Sequence, residues 1–315
     1  MAKQPVLAIV VPAYNEEAVL PQSIEKLRAA LAEQRADGRI AADSFILIVD
    51  DGSSDGTWRL VTDMHSRHAE VRGLSLSRNC GHQAALLAGL MRAREQAECV
   101  VSIDADLQQD VAELPEFLAR YAEGNEIVYG VRRDRRSDGW FKKTSATAYY
   151  GLLRAFGVPV IPHHADYRLL GRRALAALAD YSEVNIYLRG LVPQLGFRTA
   201  VVLHDVAPRP AGRSKYTLAR MLAFALDGIT SFGIVPLRLI TAAGILISLF
   251  SALSIVGVFW TYLRYNAVHG WSSTIIPIYL LGGLQLLGIG IIGEYVGRIY
   301  LESKRRPRYT VADEC

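Results

Sequence analysis

Cysteine is scarce in this chain. Cys80, Cys99 and Cys315 are the only three among 315 residues. An odd, widely spaced set with no C-x-x-C pair excludes a disulfide-built scaffold and speaks against a structural zinc site. Net charge is also small: 35 Lys and Arg against 31 Asp and Glu leave +4. That balance is too mild to imply a nucleic-acid partner. The short apolar run Val6 to Ala13 has no cleavage-like end and is not read as a signal peptide. There is no internal repeat and no low-complexity segment. Apolar residues make up 51% of the chain, which excludes intrinsic disorder.

Charge is missing altogether from two stretches. Leu239 to Tyr262 is 24 residues without Lys, Arg, Asp or Glu, and Trp271 to Gly293 is 23 more. About 20 apolar residues cross a bilayer as a helix. The pair, joined at Leu263 to Gly270, predicts a transmembrane hairpin over about 238–262 and 271–293. Lys215, Arg220 and Arg238 precede it, and Arg298, Lys304, Arg305, Arg306 and Arg308 follow it. Only Arg264 lies between. The positive-inside bias predicts a multi-pass membrane protein with its N-terminal domain and both termini in the cytoplasm. Trp260, Tyr262, Tyr265 and Trp271 would mark the far interface. The spacing of Leu218, Met221, Leu222, Ala225, Leu226 and Ile229 predicts an interfacial amphipathic helix within 216–235. The expected layout is a soluble domain over 1–215, that interfacial segment, spans within 236–300, and a basic tail over 301–315.

The soluble part alternates short apolar runs with helical periodicity. Strands are expected at Val6–Val11, Phe45–Val49, Val71–Leu76, Cys99–Ile103 and Glu126–Gly130. Helices are expected at Glu17–Arg35, Asp55–Ala69, Gln83–Gln96 and Val111–Glu123. Continuous apolar strands between helices predict a parallel α/β sheet. Ligands of such sheets sit at the carboxyl ends of the strands. Those ends carry V-P-A-Y-N-E (Val11–Glu16), D-D-G-S-S-D-G-T (Asp50–Thr57) and D-A-D-L-Q (Asp104–Gln108). The first two are polar turns that open helices; each alone is an ordinary cap or turn. In the third, Asp104, Asp106 and Gln108 offer hard oxygen ligands suited to Mg²⁺ or Mn²⁺, with substrate phosphates completing the shell.

Together and in this order, the three motifs resemble the family 2 glycosyltransferases of the GT-A fold over most of residues 5–215. R-N-C-G-H-Q-A-A-L (Arg78–Leu86), D-Y-R-L (Asp166–Leu169), G-R-S-K-Y (Gly212–Tyr216) and G-E-Y-V-G-R-I-Y (Gly293–Tyr300) are similar to the polyisoprenyl-phosphate branch. That branch holds the dolichol-phosphate mannose synthases and the GtrB-like enzymes of the bacterial inner membrane. The Q-x-x-R-W motif of processive synthases is missing, since no Trp lies between Trp140 and Trp260.

The resemblance implies a mostly parallel, Rossmann-like GT-A domain. It implies inverting transfer from a nucleotide-diphosphate sugar, UDP favoured over GDP, to a polyprenyl phosphate. A different acceptor, or a catalytically weak sugar-nucleotide-binding partner, is the alternative. By resemblance, nucleotide-sugar recognition falls to Pro12, Tyr14, Glu16, Val49, Asp51, Asp104, Ala105, Arg132, Arg209 and Lys215. Asp166 takes the position of the catalytic carboxylate, with Arg132 and Lys215 as catalytic cations. A structural salt bridge from Asp166 to Arg168 or Arg172 is the alternative. His82 is expected to support the fold, and the His163–His164 pair reads as surface. The acceptor phosphate needs cations beside it, and Arg132, Lys142, Lys143 and Arg213 are placed for that role. The subgroup also implies a homo-oligomer, a tetramer by resemblance.

Overall fold

The computed structural model describes residues 4–133, 164–184, 187–204, 235–265 and 271–315. They form two compact units. One gathers the described residues up to His204 together with Arg306–Cys315; the other holds those from Val235 to Arg305.

The first unit runs β1 (Leu7–Ala13), α1 (Leu20–Ala36), β2 (Phe45–Asp50), α2 (Thr57–Arg67), β3 (Val71–Leu76), α3 (His82–Ala93) and β4 (Cys99–Ser102). A single 3-10 turn at Val111–Glu113 leads into α4 (Leu114–Ala122) and β5 (Ile127–Arg132). Then come β6 (His164–Gly171), α5 (Arg172–Ala179), α6 (Leu188–Gln194) and β7 (Thr199–His204). The last strand, β8, is Val311–Glu314. The strands form one sheet in the order β7-β5-β6-β4-β1-β2-β3-β8.

β1, β2 and β4 are buried along their whole length. Apolar side chains on both faces are what a strand covered by helices on both sides requires. α1 supplies Leu20, Ile24, Leu27 and Leu31 at helical spacing, all buried. α3 lies so close that a Cβ on Gly89 would stand 2.4 Å from Val10 Cγ1 and 2.6 Å from Val49 Cγ2.

The β1–β2, β1–β4 and β2–β3 pairs are parallel, as the apolar runs predict, and β5 is parallel to β7, a strand outside the expected set. β6 is antiparallel to both β4 and β5, and β8 is antiparallel to β3. The carboxyl ends of β1, β2, β4 and β5 therefore share one sheet edge with the amino end of β6. In the β4–β6 register Ser102 faces Arg168. Two further steps along each strand bring Asp104 and Asp166 to the same level.

Within 301–315 the Lys and Arg side chains all precede β8, and Val311–Glu314 is an edge strand carrying Asp313 and Glu314, tied at its end by Arg92 Nη2 to Glu314 at 2.8 Å. The open edge of β3 offers backbone donors and acceptors that a four-residue extended segment can take.

The second unit holds α7 (Val235–Tyr265) and α8 (Trp271–Ser303). At 1.5 Å per residue these helices reach about 45 and 50 Å. They meet where Gly288 approaches Ile240, a Cβ there lying 3.4 Å from Ile240 Cγ2. Among the described residues one segment, Leu280–Ser303, is long and apolar enough to cross a membrane, and Val235–Ile247 is a shorter apolar helix. Leu246, Phe250, Leu253, Leu280 and Leu286 are 68 to 72% exposed, a surface that calls for lipid or a partner. α8 continues unbroken through Ser303, ten residues past Gly293. Most of the expected interfacial helix lies outside the described residues.

Candidate functional site

The turns after β1 and β2 lock together at the shared edge. Asn15 N–H donates to Ser53 Oγ at 2.9 Å, and Ser54 N–H donates to Asn15 Oδ1 at 2.8 Å. Glu16 N–H donates to Thr57 Oγ1 at 3.1 Å, and Gly56 N–H to Glu17 Oε2 at 2.9 Å. Pro12 and Val49 are buried in their strands, Glu16 is half-buried, and Tyr14 stands 41% exposed at the tip.

Asp51 is buried, and its carboxylate holds the next turn. It accepts from Cys80 N–H at 2.7 Å and Gly81 N–H at 2.9 Å. Burial pushes its pKa up, against those two amide donors. Gly52 is required beside it. Its φ is +66°, and a Cβ there would lie 2.5 Å from the Arg78 carbonyl carbon. The D-D-G turn thus fixes R-N-C-G-H-Q, and with it the start of α3.

That start delivers His82 to the centre. His82 Nε2 lies 3.2 Å from Asp166 Oδ2 and 3.7 Å from Asp104 Oδ1. Gln83 Nε2 donates to Asp166 Oδ2 at 3.4 Å, while its Oε1 accepts from Leu188 N–H at 3.1 Å. Asp166 also pairs with Arg168 and with Arg189, whose Nη2 is 3.0 Å away. Burial would push the Asp166 carboxyl up. The Arg189 charge, the His82 hydrogen bond and the Arg168 charge overcome this and hold it well below the usual carboxylate range. Burial alone would lower His82; the hydrogen bond and charge of Asp166, then the charge of Asp104, carry it above its ordinary value.

The D-A-D-L-Q loop follows β4. Ala105 is buried, and its carbonyl accepts from Ser23 Oγ at 2.6 Å. Leu107 takes the left-handed conformation at φ 43°, which turns the loop. Asp104 accepts from Gln109 Nε2 at 2.6 Å, and Asp106 accepts from Gln108 N–H at 3.3 Å. Burial, together with the negative charge of Asp166, raises the Asp104 pKa. No three His, Cys, Asp or Glu side chains among the described residues form a metal cage. Mg²⁺ does not need one, since it is held by one or two carboxylates plus water and phosphate. Asp104 and Asp106 give that donor set. Beside them the buried Gln109 Oε1 has no hydrogen-bond partner among the described residues. The residues fit a hard divalent cation.

Arg132 ends β5 on the same edge, half-buried and opposite His204 of β7. Lys142, Lys143, Arg209, Arg213 and Lys215 lie outside the described residues, as does His163.

The structure thus brings together Asp104, Asp106, Gln108 and Asp166, with Arg132 on their edge. The hydrogen bonds and ion pairs to Asp104 and Asp166 include residues that sequence reasoning missed: Gln83, Gln109 and Arg189. His82 was expected only to support the fold, yet it bridges the two carboxylates. A polar His-Gln pair at a helix start, directly after a glycine at φ 89°, was the available signal. Of the two alternatives for a structural salt bridge from Asp166, Arg168 is the partner.

Residues 8–178 match the glycosyl transferase family 2. An uncharacterized glycosyltransferase of Bacillus subtilis, YkoT, is 49% identical over 98% of this chain and 91% of its own. A bactoprenol glucosyl transferase of Shigella phage SfV is 34% identical over 98% of both chains. A mannosyltransferase from Pyrobaculum calidifontis, solved with GDP-Man and Mn²⁺, is 16% identical over 95% of this chain and 86% of its own, with a TM-score of 0.49. The α/β sheet and its polar edge agree with the sequence relationship: the chain is a glycosyltransferase and belongs to family 2.

Proposed function

We propose that this enzyme transfers a sugar, with inversion, from a nucleotide-diphosphate sugar to a polyprenyl phosphate such as undecaprenyl phosphate. The donor is UDP-glucose or a related UDP-sugar. One observation carries the reading. Similarity to the phage bactoprenol glucosyl transferase extends over 98% of both chains, beyond residue 178 where the family match ends. A relationship confined to the catalytic domain would say nothing of the acceptor.

The chemistry divides among residues at the sheet edge. Tyr14, Glu16 and Asp51 belong to the turns proposed to receive the nucleoside, with Pro12, Val49 and Ala105 as their packed floor. Asp51 acts there through the turn that it braces. Asp104, Asp106 and Gln108 would hold Mg²⁺ or Mn²⁺, which when bound would offset the charge of the leaving diphosphate.

A phosphate monoester is largely a dianion at neutral pH, because its second pKa is about 6. It is a nucleophile without help from a base. Asp166, ionised and held by two arginines, is a poor proton acceptor. That supports a positioning role for it. Arg132, Lys142, Lys143 and Arg213 are proposed to bring the acceptor phosphate beside the donor, and Arg209 and Lys215 to hold the diphosphate.

The decisive experiment incubates the purified full chain with undecaprenyl phosphate, Mg²⁺ or Mn²⁺ and a panel of UDP- and GDP-sugars. Mass spectrometry then reads the lipid product. One hexose added to the lipid phosphate, abolished by EDTA and restored by either cation, is expected. No lipid product from any donor would overturn the acceptor assignment. Full activity in EDTA would overturn the metal assignment.

A further inference from the structure

The residues around Asp166 rest on a second layer of contacts. Gln83 donates to Asp166 through Nε2 and accepts from Leu188 N–H at 3.1 Å through Oε1. The Leu188 carbonyl accepts from Arg168 Nη1 at 3.3 Å. The next residue, Arg189, reaches the carboxylate itself with Nη2 at 3.0 Å. Leu188, buried at the start of α6, is thus the backbone point at which Gln83, Arg168 and Arg189 converge. A displacement of Leu188 disturbs all three.

Support for Leu188 comes from the far end of the chain. Arg308 precedes β8, and its Nη2 donates to the Tyr181 carbonyl, just past the end of α5. Backbone carbonyls at a helix C-terminus lack an intrahelical donor, and an arginine there supplies one. Arg308, Tyr181 and Leu188 line one small crevice, backed by Leu87 of α3 and Leu178 of α5. The half-buried stem of Arg308 covers that apolar seam while its head makes the hydrogen bond. Two residues on, the Thr310 carbonyl accepts from Ser77 N–H at 2.9 Å. Ser77 leads directly into R-N-C-G-H-Q, which carries Gln83. Arg308 and Thr310 therefore touch both segments whose meeting point is the Gln83–Leu188 hydrogen bond, and β8 fixes their register on β3.

We propose that Arg308 is a positioning residue for glycosyl transfer, holding Leu188 and, through it, the groups that set Asp166 in place. This rests on the proposed function in one respect, the placing of Asp166 in the active site. Only Lys304 to Pro307 separate Arg308 from the end of α8. The support of the catalytic edge thus arrives through the segment that leaves α8.

The test uses the full chain in detergent, with two readouts. Arg308→Ala removes the stem and the donors. Arg308→Met keeps the stem, and so covers the case in which the alanine variant fails to fold. Amide hydrogen exchange, followed by mass spectrometry without substrate, should be roughly five- to tenfold faster over Leu188–Leu191 in Arg308→Met, with Val311–Glu314 protected as in the wild type. The kcat for sugar transfer should fall roughly ten- to hundredfold, with both KM values near wild type, because a misplaced catalytic geometry slows turnover without removing a substrate contact. Arg308→Lys restores one donor and should recover part of that loss. In a Gln83→Ala background the further loss from Arg308→Met should shrink, since both side chains act on Leu188, whereas independent structural losses would multiply. Unchanged exchange over Leu188–Leu191, wild-type kcat in a folded variant, or an undiminished loss in the Gln83→Ala background each overturns the proposal. A wild-type chain that transfers no sugar to a lipid phosphate counts against the proposed function instead, and the exchange readout still decides the role of Arg308.

Discussion

Asp166 is where residue-level physics bears most on mechanism. A carboxylate this buried persists as an ion because Arg189, His82 and Arg168 surround it. Asp166→Asn leaves the Arg168 guanidinium buried without its counter-charge, which costs about 3–5 kcal/mol. The sign of the pH dependence follows from the depressed folded pKa. The stabilisation is complete above the ordinary carboxylate range and is lost as pH falls through the lower, folded value. Denaturant melts should therefore show a gap between wild type and Asp166→Asn that is flat from neutral pH down to about pH 5 and closes in stronger acid. A gap that closes near neutral pH would mean that Asp166 titrates there and is available as a base. Catalysis should obey a different group. If the acceptor phosphate is the nucleophile, the wild-type rate climbs through about pH 6 as the dianion forms. Arg132→Ala and Lys215→Ala should each slow transfer roughly ten- to a hundredfold while the melting temperature holds, since each removes a charge-assisted contact. Wild-type rates in both variants would remove these cations from the mechanism.

At the scale of elements, what could be read from the sequence depended on how each element is buried. β1, β2, β3, β4 and β5 are apolar runs between helical stretches, and their order was legible. β6 was not. It opens with H-A-D-Y-R, whose Asp166 and Arg168 look like surface charges, although 3% and 1% of their respective surfaces are exposed. Mutual neutralisation puts them inside, and no periodicity reports that. β8 is four residues long and follows a run of arginines, so charge concealed it. The candidate site divides in the same way. Asp104 and Asp106 are separated by a single residue in sequence and were visible as a pair. His82, Gln83 and Arg189 meet Asp166 across separations of 84, 83 and 23 residues, which only the sheet register closes. β8 also yields a test. Ending the chain at Thr310 exposes the edge of β3 and forfeits the ladder to residues 311–315, at about 1 kcal/mol per lost backbone hydrogen bond. A clear drop in melting temperature, with a rise in aggregation, is expected; an unchanged melt would show that the strand adds nothing. In α8 a Cβ on Gly293 or Gly297 would meet nothing within 4 Å. Small residues four apart let a second helix approach closely. For the proposed homo-oligomer, Gly293→Leu with Gly297→Leu should shift the species in mild detergent towards monomer by light scattering. A wild-type chain already monomeric would refute the oligomer.

For the whole molecule, β8 turns membrane topology into a question of parity. Residues 311–314 pair with β3, so the end of the chain and the catalytic sheet occupy the same compartment. Any bilayer crossings proposed between His204 and Val311 must therefore come in pairs. Leu280–Ser303 meets the length and hydropathy of a span by itself. A single crossing there would strand β8 on the far side from β3, which the sheet forbids. If α8 crosses, another segment must cross as well. α7, about 45 Å long with Leu246, Phe250 and Leu253 outward, is the apolar helix with the reach to do so. The excess of Lys and Arg before α7 and after α8 then sets the proposed direction, with catalytic domain and tail in the cytoplasm. Cysteine accessibility in intact bacteria tests the pair of crossings directly. In a chain whose Cys80 and Cys315 are replaced by serine, Ala267→Cys should react with a membrane-impermeant maleimide added outside. Thr310→Cys should react only after the cells are opened. Labelling of Thr310→Cys from outside with Ala267→Cys protected would invert the orientation. Protection of both in intact cells would mean that neither helix crosses and that the apolar faces of α7 and α8 are covered by lipid or protein on the cytoplasmic side.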